Sequence, residues 1–461
     1  MFIATVAVAC LWGAVFWAYV SQPAPKGVEQ RVATDVAAPD SPHVAATPVE
    51  KPPLSGAPAL RLVVASGATA PGGGAFDRFD VGQQPIVAPV NARGQVAFYA
   101  SVVHSRAREG IFLATAGRIA KVAAVGDAAP GGGSFSEFAR HPVPALNDAG
   151  KVAFGAALAG SRATEGVFLA AGGDVTMIAL SGADAPGVVN GTFLEFDTPV
   201  LNNRDEIAFV ASVRRNRETL DVLYLYSGGK LRKLLATGDL APRKLAAGAD
   251  TLPRKGAFDK FGAPAMNNKG VVAFPAVIEH GEVLGGIFLA GAHDLQLILG
   301  AGELAPDGAM LVRFSERVAI DDEDNVAFIA HLGGDKPGAE AVFRVNAAGL
   351  AQVAATGDPA PGGGRFAAFG PWPTFGALDS IAVIAALDDG LAPLAVFAGA
   401  PGALGRLAMP GEALPGGARL APFALNAIAS AASNGGVTFA TMADPATGQS
   451  GIYYFGPPPA E

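Results

Sequence analysis

"VAAVGDAAPGGGSF", residues 122–135, runs from an apolar segment through an acidic residue, a proline and three glycines into an aromatic. Such a stretch suits a phosphate cradle, a metal loop or a plain connector, and its near-copies decide among them. Gly-x-x-(Ala/Leu)-Pro begins at Gly67, Gly126, Gly182, Gly238, Gly302, Gly357 and Gly411, at intervals of 59, 56, 56, 64, 55 and 54 residues. A phosphate cradle needs a helix N-terminus or a lysine behind the glycines, whereas here a strand-like segment with Phe135 follows. The acidic position is Asp127, Asp239, Glu303, Asp358 and Glu412, but Ala68 and Ala183 in the other two copies. A metal or catalytic role does not survive alanine in two units of seven. The loop therefore reads as a connector, with proline stiffening it, glycines supplying positive φ, and the acid accepting backbone N–H bonds.

Each unit carries further landmarks in fixed order. Aromatic pairs come first: "FDRF" (76–79), "FSEF" (135–138), "FLEF" (193–196) and "FDKF" (258–261). Then follow "NARGQVAF" (91–98), "NDAGKVAF" (147–154), "NNRDEIAF" (202–209), "NNKGVVAF" (267–274) and the degenerate "DDEDNVAF" (321–328). "GIFLA" (110), "GVFLA" (166), "GIFLA" (286) and "AVFRV" (341) come next, and an apolar segment leads into the next glycine loop. Asn-x-x-Gly suits a type I turn with a glycine bulge, so each unit spells four strands.

These strands are near-continuous apolar runs, which places both faces of each sheet against other sheets. A radial stack of four-stranded blades does this, and seven units predict a seven-bladed β-propeller, all-β, over residues 60–456. The region starts on a fourth-strand segment, "LRLVVASG" (60–67), and ends on a third-strand segment, "GIYYFG" (451–456). Pairing the two closes the ring and removes its free edges.

In "NARGQVAF", "NDAGKVAF" and "NNKGVVAF" the chain resembles the bacterial tandem NxxGxxAF repeat proteins, which occur with varied membrane or wall anchors (choice-of-anchor type). The resemblance covers residues 60–456, while "GALDSIAV" and "ASNGGVTF" depart from the pattern in the last two units. It implies an extracytoplasmic, surface-held repeat protein and carries over no catalytic residue.

The ends and the bulk composition agree with such a location. Residues 1–20, "MFIATVAVACLWGAVFWAYV", carry no charge and suffice for one membrane-spanning helix; the reading favours a retained anchor over a cleaved signal peptide. Cleavage would make the protein secreted. Residues 21–59 contain eight prolines and no aromatic, and read as a disordered spacer reaching roughly 120 Å at about 3.1 Å per residue. Residues 457–461 form a tail. The single cysteine, Cys10, excludes a disulfide within one chain, and a net charge of −8 without a dense basic stretch argues against nucleic acid as partner.

No nucleophile motif, HExxH or calcium loop is present, and "DDED" (321–324) reads as a solvated turn. His104, His280 and His331 fall in or near loops between second and third strands, and no metal or cofactor is expected. The strongest hint is a charge asymmetry on the glycine-loop face. Blades one to three bring Arg106, Arg108, Arg162, Arg214, Arg215 and Arg217, and the insert before blade four adds Arg243, Lys244, Arg254 and Lys255. Against these ten bases stand Glu109, Glu165, Glu218, Asp221, Asp239 and Asp250, so the arc nets 10 − 6 = +4. The matching loops of blades five to seven hold Lys336 against Asp335, Glu340, Asp388, Asp389 and Asp444, or 1 − 5 = −4. This predicts a monomeric, membrane-tethered binding or structural module for an anionic envelope glycan or a partner protein. The alternative is a propeller-face enzyme on polysaccharide, a lyase or glycosidase, which needs convergent carboxylates.

Overall fold

The structure, a computed structural model, describes residues 58–242, 256–281, 283–292, 294–334, 338–414 and 418–458. The span 1–20, nearly all of the spacer, most of the tail, and Arg243, Lys244, Arg254 and Lys255 lie outside the described residues. All regular structure among the described residues is β-strand, in seven antiparallel sheets that form the seven-bladed propeller.

Blade two illustrates the unit. Its inner strand comes in two pieces, Ser134–Glu137 and Ala145–Leu146, both paired with the second strand Val152–Ala159. The third strand Glu165–Ala171 and outer strand Asp174–Leu180 complete it. The interruption between the inner pieces contains Pro142 and Pro144, which supply no backbone donor and so break the ladder. Equivalent interruptions recur, with Pro199, Pro264, Pro371 and Pro373.

The "VAF" triplet follows from this packing. Val152 and Phe154 turn back toward blade one and share a core with Ala97, Tyr99 and Ile111; Ala153 turns forward into the core around Phe193, Phe196, Phe209 and Tyr224 of blade three. The alternation of large and small is thus a fit of one blade's aromatics onto its neighbour's alanine. Phe135, Phe138, Phe154 and Phe168 form a four-ring cluster whose neighbouring centroids lie 5.0–5.9 Å apart, in edge-on, tilted and stacked pairs. Closure is as expected: Ala59–Ala65 pairs antiparallel with Gly451–Gly456, matching Leu60 with Phe455 and Val64 with Ile452.

The Asn-x-x-Gly hairpins do more than turn the chain. Asn91 Oδ1 accepts the N–H groups of Arg93 and Gln95, and Gly94 has φ 75°, as the bulged turn requires. Its Nδ2, however, donates across the blade interface to the carbonyl of Asn147 at 2.9 Å. Asn147 donates likewise to Asn202 at 3.1 Å, Asn202 to Asn267 at 3.0 Å, and Asn267 to Asp321 at 2.9 Å. In the degenerate hairpin Asp321 has no donor, and Asn325 takes over by donating to Asp379 at 3.3 Å. Thr374 Oγ1 donates to the Ala429 carbonyl at 2.6 Å and Asn434 Nδ2 to the Ala92 carbonyl at 3.0 Å. Every blade-to-blade interface is thereby crossed by a side-chain hydrogen bond at the hairpin end, blade seven to blade one included.

Candidate functional site

The glycine loops lie where expected, between the outer strand of one blade and the inner strand of the next. In blade two the loop is a small hairpin, Gly126 N–H to Phe135 O and Phe135 N–H to Asp127 O, with Gly131, Gly132 and Gly133 at φ 92°, 102° and 76°. Asp127 Oδ2 accepts the N–H of Ala124 and its Oδ1 meets Lys121 Nζ at 2.7 Å. Asp239, Glu303 and Asp358 repeat the first contact on Ala236, Gly300 and Ala355. The acid is a turn clasp in these blades.

On the same face lie the turns between second and third strands. His104, Gly160, Asn216, His280, Gly334 and Asp389 occupy matching positions there, all at φ between 55° and 71° except Gly334 at 75°. His104 and His280 thus stand at a left-handed turn position that histidine, asparagine, aspartate and glycine tolerate best. His331 lies inside its strand, Val326–Gly333, between Arg313 Nη2 at 2.8 Å and Glu340 Oε1 at 3.5 Å. The three histidines do not form a common group.

Arg106, Arg108, Arg162 and Arg217 are exposed at the turns of blades one, two and three, whereas Arg214 and Arg215, read from the sequence as loop residues, are exposed at the end of the second strand of blade three, Ile207–Arg215. The acids expected to balance them behave differently from that expectation. Glu109 turns into the interface with blade two, where Oε1 accepts the Phe138 N–H at 2.6 Å and Oε2 the Tyr99 hydroxyl at 2.7 Å. Glu165, 1% exposed, accepts the Phe196 N–H of blade three at 2.9 Å and meets Arg140 at 3.2 Å and His141 at 3.5 Å. Asp221 is partly buried with Ser212, and Asp239 is the turn clasp of its loop. Among the described residues only Arg215 of the six has an ion-pair partner, Glu218 at 3.0 Å. These arginines are therefore not paired one to one with the acids that residue counting sets against them.

Burial of Glu165 works against its charge, but His141, the Phe196 amide and Arg140 prevail and hold its carboxyl below the usual range. A depressed folded pKa contributes stability that is complete above the unfolded value, about 4.3, and is lost as pH falls through the folded value. Glu165→Gln is therefore expected to lower the melting temperature at pH 7 and to flatten its decline between pH 5 and pH 3. A decline as steep as the parent's assigns acid sensitivity to other carboxylates.

Further polar groups gather where the inner strands are interrupted, around the propeller axis. Arg317 from blade five lies over the Trp372 ring of blade six, 5.0 Å from its centroid, and is bridged in parallel to Ala263 of blade four. Asp197 of blade three is close enough to oppose the depression that burial imposes on the Arg317 pKa. Away from the interruptions, between blades three and four, Asp221 of the third strand Glu218–Ser227 is pushed up by burial and by Asp259 and Asp197, against Lys260 and Ser212; Asp259 of the inner strand Ala257–Phe261 is pushed up by burial and by Glu279. None of Arg317, Trp372, Asp197 and Asp259 was a sequence candidate; Asp221 was counted as a loop charge and lies instead in that third strand of blade three. The available signal was the proline-bearing stretch after each aromatic pair, such as "FARHPVP" (138–144) and "FGPWP" (369–373), which no regular strand accommodates.

The molecule is thus a seven-bladed propeller with a basic turn arc on one face and a polar axis. By sequence it belongs to a family of unknown function, DUF7453, which matches residues 54–284 and again 244–454. No curated protein matches it. Among solved structures it is similar to an oligogalacturonate lyase in complex with manganese, at 10% identity over 87% of this chain and 98% of that one, with a TM-score of 0.45. The oligogalacturonate lyase of Vibrio parahaemolyticus gives 10%, 87%, 96% and 0.44 in the same order. A lectin of Aleuria aurantia in complex with alpha-methyl-L-fucoside gives 10%, 72%, 96% and 0.34. At such identities no functional residue carries across.

Proposed function

We propose that this protein is an extracytoplasmic binding module, tethered by residues 1–20 and the spacer 21–59, whose basic arc recognises an anionic polymer of the cell envelope. The carrying observation is that Arg106, Arg108, Arg162, Arg214 and Arg217 are exposed without an ion-pair partner among the described residues, while Glu109 and Glu165 serve the blade interfaces. Exposed arginines free of local partners keep their planar forks for carboxylate, sulfate or phosphate. Arg243, Lys244, Arg254 and Lys255 extend the same arc in sequence. The charge-free segment 1–20 and the NxxGxxAF-type resemblance support the tether; N-terminal sequencing of the mature chain checks it, a start at or beyond residue 21 making the protein a secreted one.

The binding test is retention of the full-length chain on immobilised anionic glycan at low and moderate salt, against an Arg214→Glu, Arg215→Glu, Arg217→Glu variant. The parent is expected to elute later, with the difference shrinking as the Debye length falls toward about 8 Å. Equal retention, or none for either, removes the arc as a binding surface. A second reading, a propeller-face enzyme on polysaccharide, has Asp221 and Asp259 in its favour, since carboxyls with raised pKa values are the usual acids of such chemistry. Release of new chain ends from the same glycans would favour it.

A further inference from the structure

The guanidinium of Arg317 is placed with care and left incomplete. Its backbone is held on both sides: the Glu316 carbonyl accepts the Ala263 N–H at 2.9 Å, and the Arg317 carbonyl accepts the Ser315 hydroxyl at 2.8 Å. Its flat face is taken by Trp372. Yet Nε and Nη2 are buried and have no hydrogen-bond partner among the described residues. These two nitrogens share one edge of the guanidinium, and their N–H bonds run parallel, the fork that a carboxylate fills with two oxygens. Leaving such donors buried and unmade is costly, so the edge calls for an acceptor.

We propose that this edge of Arg317, backed by Trp372, is a binding site for a small carboxylate ligand at the propeller axis. The charge around it selects the class. One guanidinium with Asp197 in its field suits a single negative charge better than a dianion, which favours a carboxylate over a phosphate. The site uses none of the exposed turn arginines, so it stands or falls separately from the glycan surface.

The indoles make the test direct, because the chain's other two tryptophans are Trp12 and Trp17. In a full-length Trp12→Phe, Trp17→Phe protein, Trp372 is the sole reporter. Its emission is expected to change along a saturating curve with glucuronate or acetate at constant ionic strength, and not with glucose. Acetate matching glucuronate identifies a bare carboxylate as the ligand group, and glucuronate binding more tightly identifies a sugar acid. In the same background Arg317→Met should weaken binding at least about tenfold. It should melt no lower than its parent, since it removes a buried, unpartnered cation. Should that variant fail to fold, Arg317→Lys, which keeps the charge and loses the fork, is expected to show the same weakening. The Arg214→Glu, Arg215→Glu, Arg217→Glu substitutions should leave it unchanged. No response to either carboxylate, unaltered affinity in the Arg317 variants, or tighter binding of inorganic phosphate would overturn the assignment.

Discussion

A chain lacking residues 60–67 is expected to lose the single sharp unfolding transition of the parent and to melt over a broad range at far lower temperature. The segment supplies the outer strand of blade seven, pairing Leu60, Arg61, Leu62 and Val64 with Phe455, Tyr454, Tyr453 and Ile452. Val64, 3% exposed, sits in the core shared by blades one, six and seven. Its burial contributes roughly 2 kcal/mol and each ladder hydrogen bond about 1 kcal/mol, so the deletion costs on the order of 6 kcal/mol. That rivals the whole stability of many domains, roughly 5–15 kcal/mol. It also bares the edge of Gly451–Gly456, so aggregation on heating should increase. Val64→Asp, which keeps the backbone, should cost nearly as much through the buried charge. Parent-like melting of both variants would show that the ring does not depend on its clasp.

Asn147→Ala is expected to destabilise by about 3 kcal/mol, well beyond an ordinary turn substitution. The side chain, 3% exposed, makes four hydrogen bonds. Two accept the N–H groups of Ala149 and Lys151 within the hairpin, and two donate to the Asn202 carbonyl and Asp205 Oδ1 of blade three. Asn147→Asp separates the two roles, because the turn acceptors survive and the donors vanish. Blade five carries the compensated form, with Asp321 followed four residues later by Asn325, whose Nδ2 donates to blade six. Adding Lys151→Asn to Asn147→Asp should accordingly recover part of the loss in chemical denaturation. A cost for Asn147→Asp no greater than a few tenths of a kcal/mol would mean that only the turn matters.

Much of this was legible without coordinates. The Gly-x-x-(Ala/Leu)-Pro period counted the blades, the apolar runs required burial of both sheet faces, and the two ends of the repeat region, 60–67 and 451–456, showed one spare strand and one missing strand. Those readings succeed because they depend on local chemistry: which residues tolerate positive φ, which turn a hairpin, and which strands have no polar face. The same local chemistry placed Asp127 as a clasp and Gly94 in the bulge.

The partners of side chains across interfaces were not legible. In the sequence Glu109 and Glu165 stand beside Arg108 and Arg162 as loop charges, and only the stacking of blades brings them to the N–H groups of Phe138 and Phe196. The asparagines were read as turn formers, since nothing in one repeat reveals that Nδ2 lies within reach of a carbonyl some 55 residues on. Arg317 and Trp372, 55 positions apart in different repeats, meet because interrupted inner strands from several blades crowd one axis. What the sequence determined by itself was the repeating unit, its number and its closure, since each is written in short-range spacing. What only the tertiary structure decided was which charges remain exposed and which polar edges are left without a partner, because those depend on distances between blades that no spacing along the chain encodes.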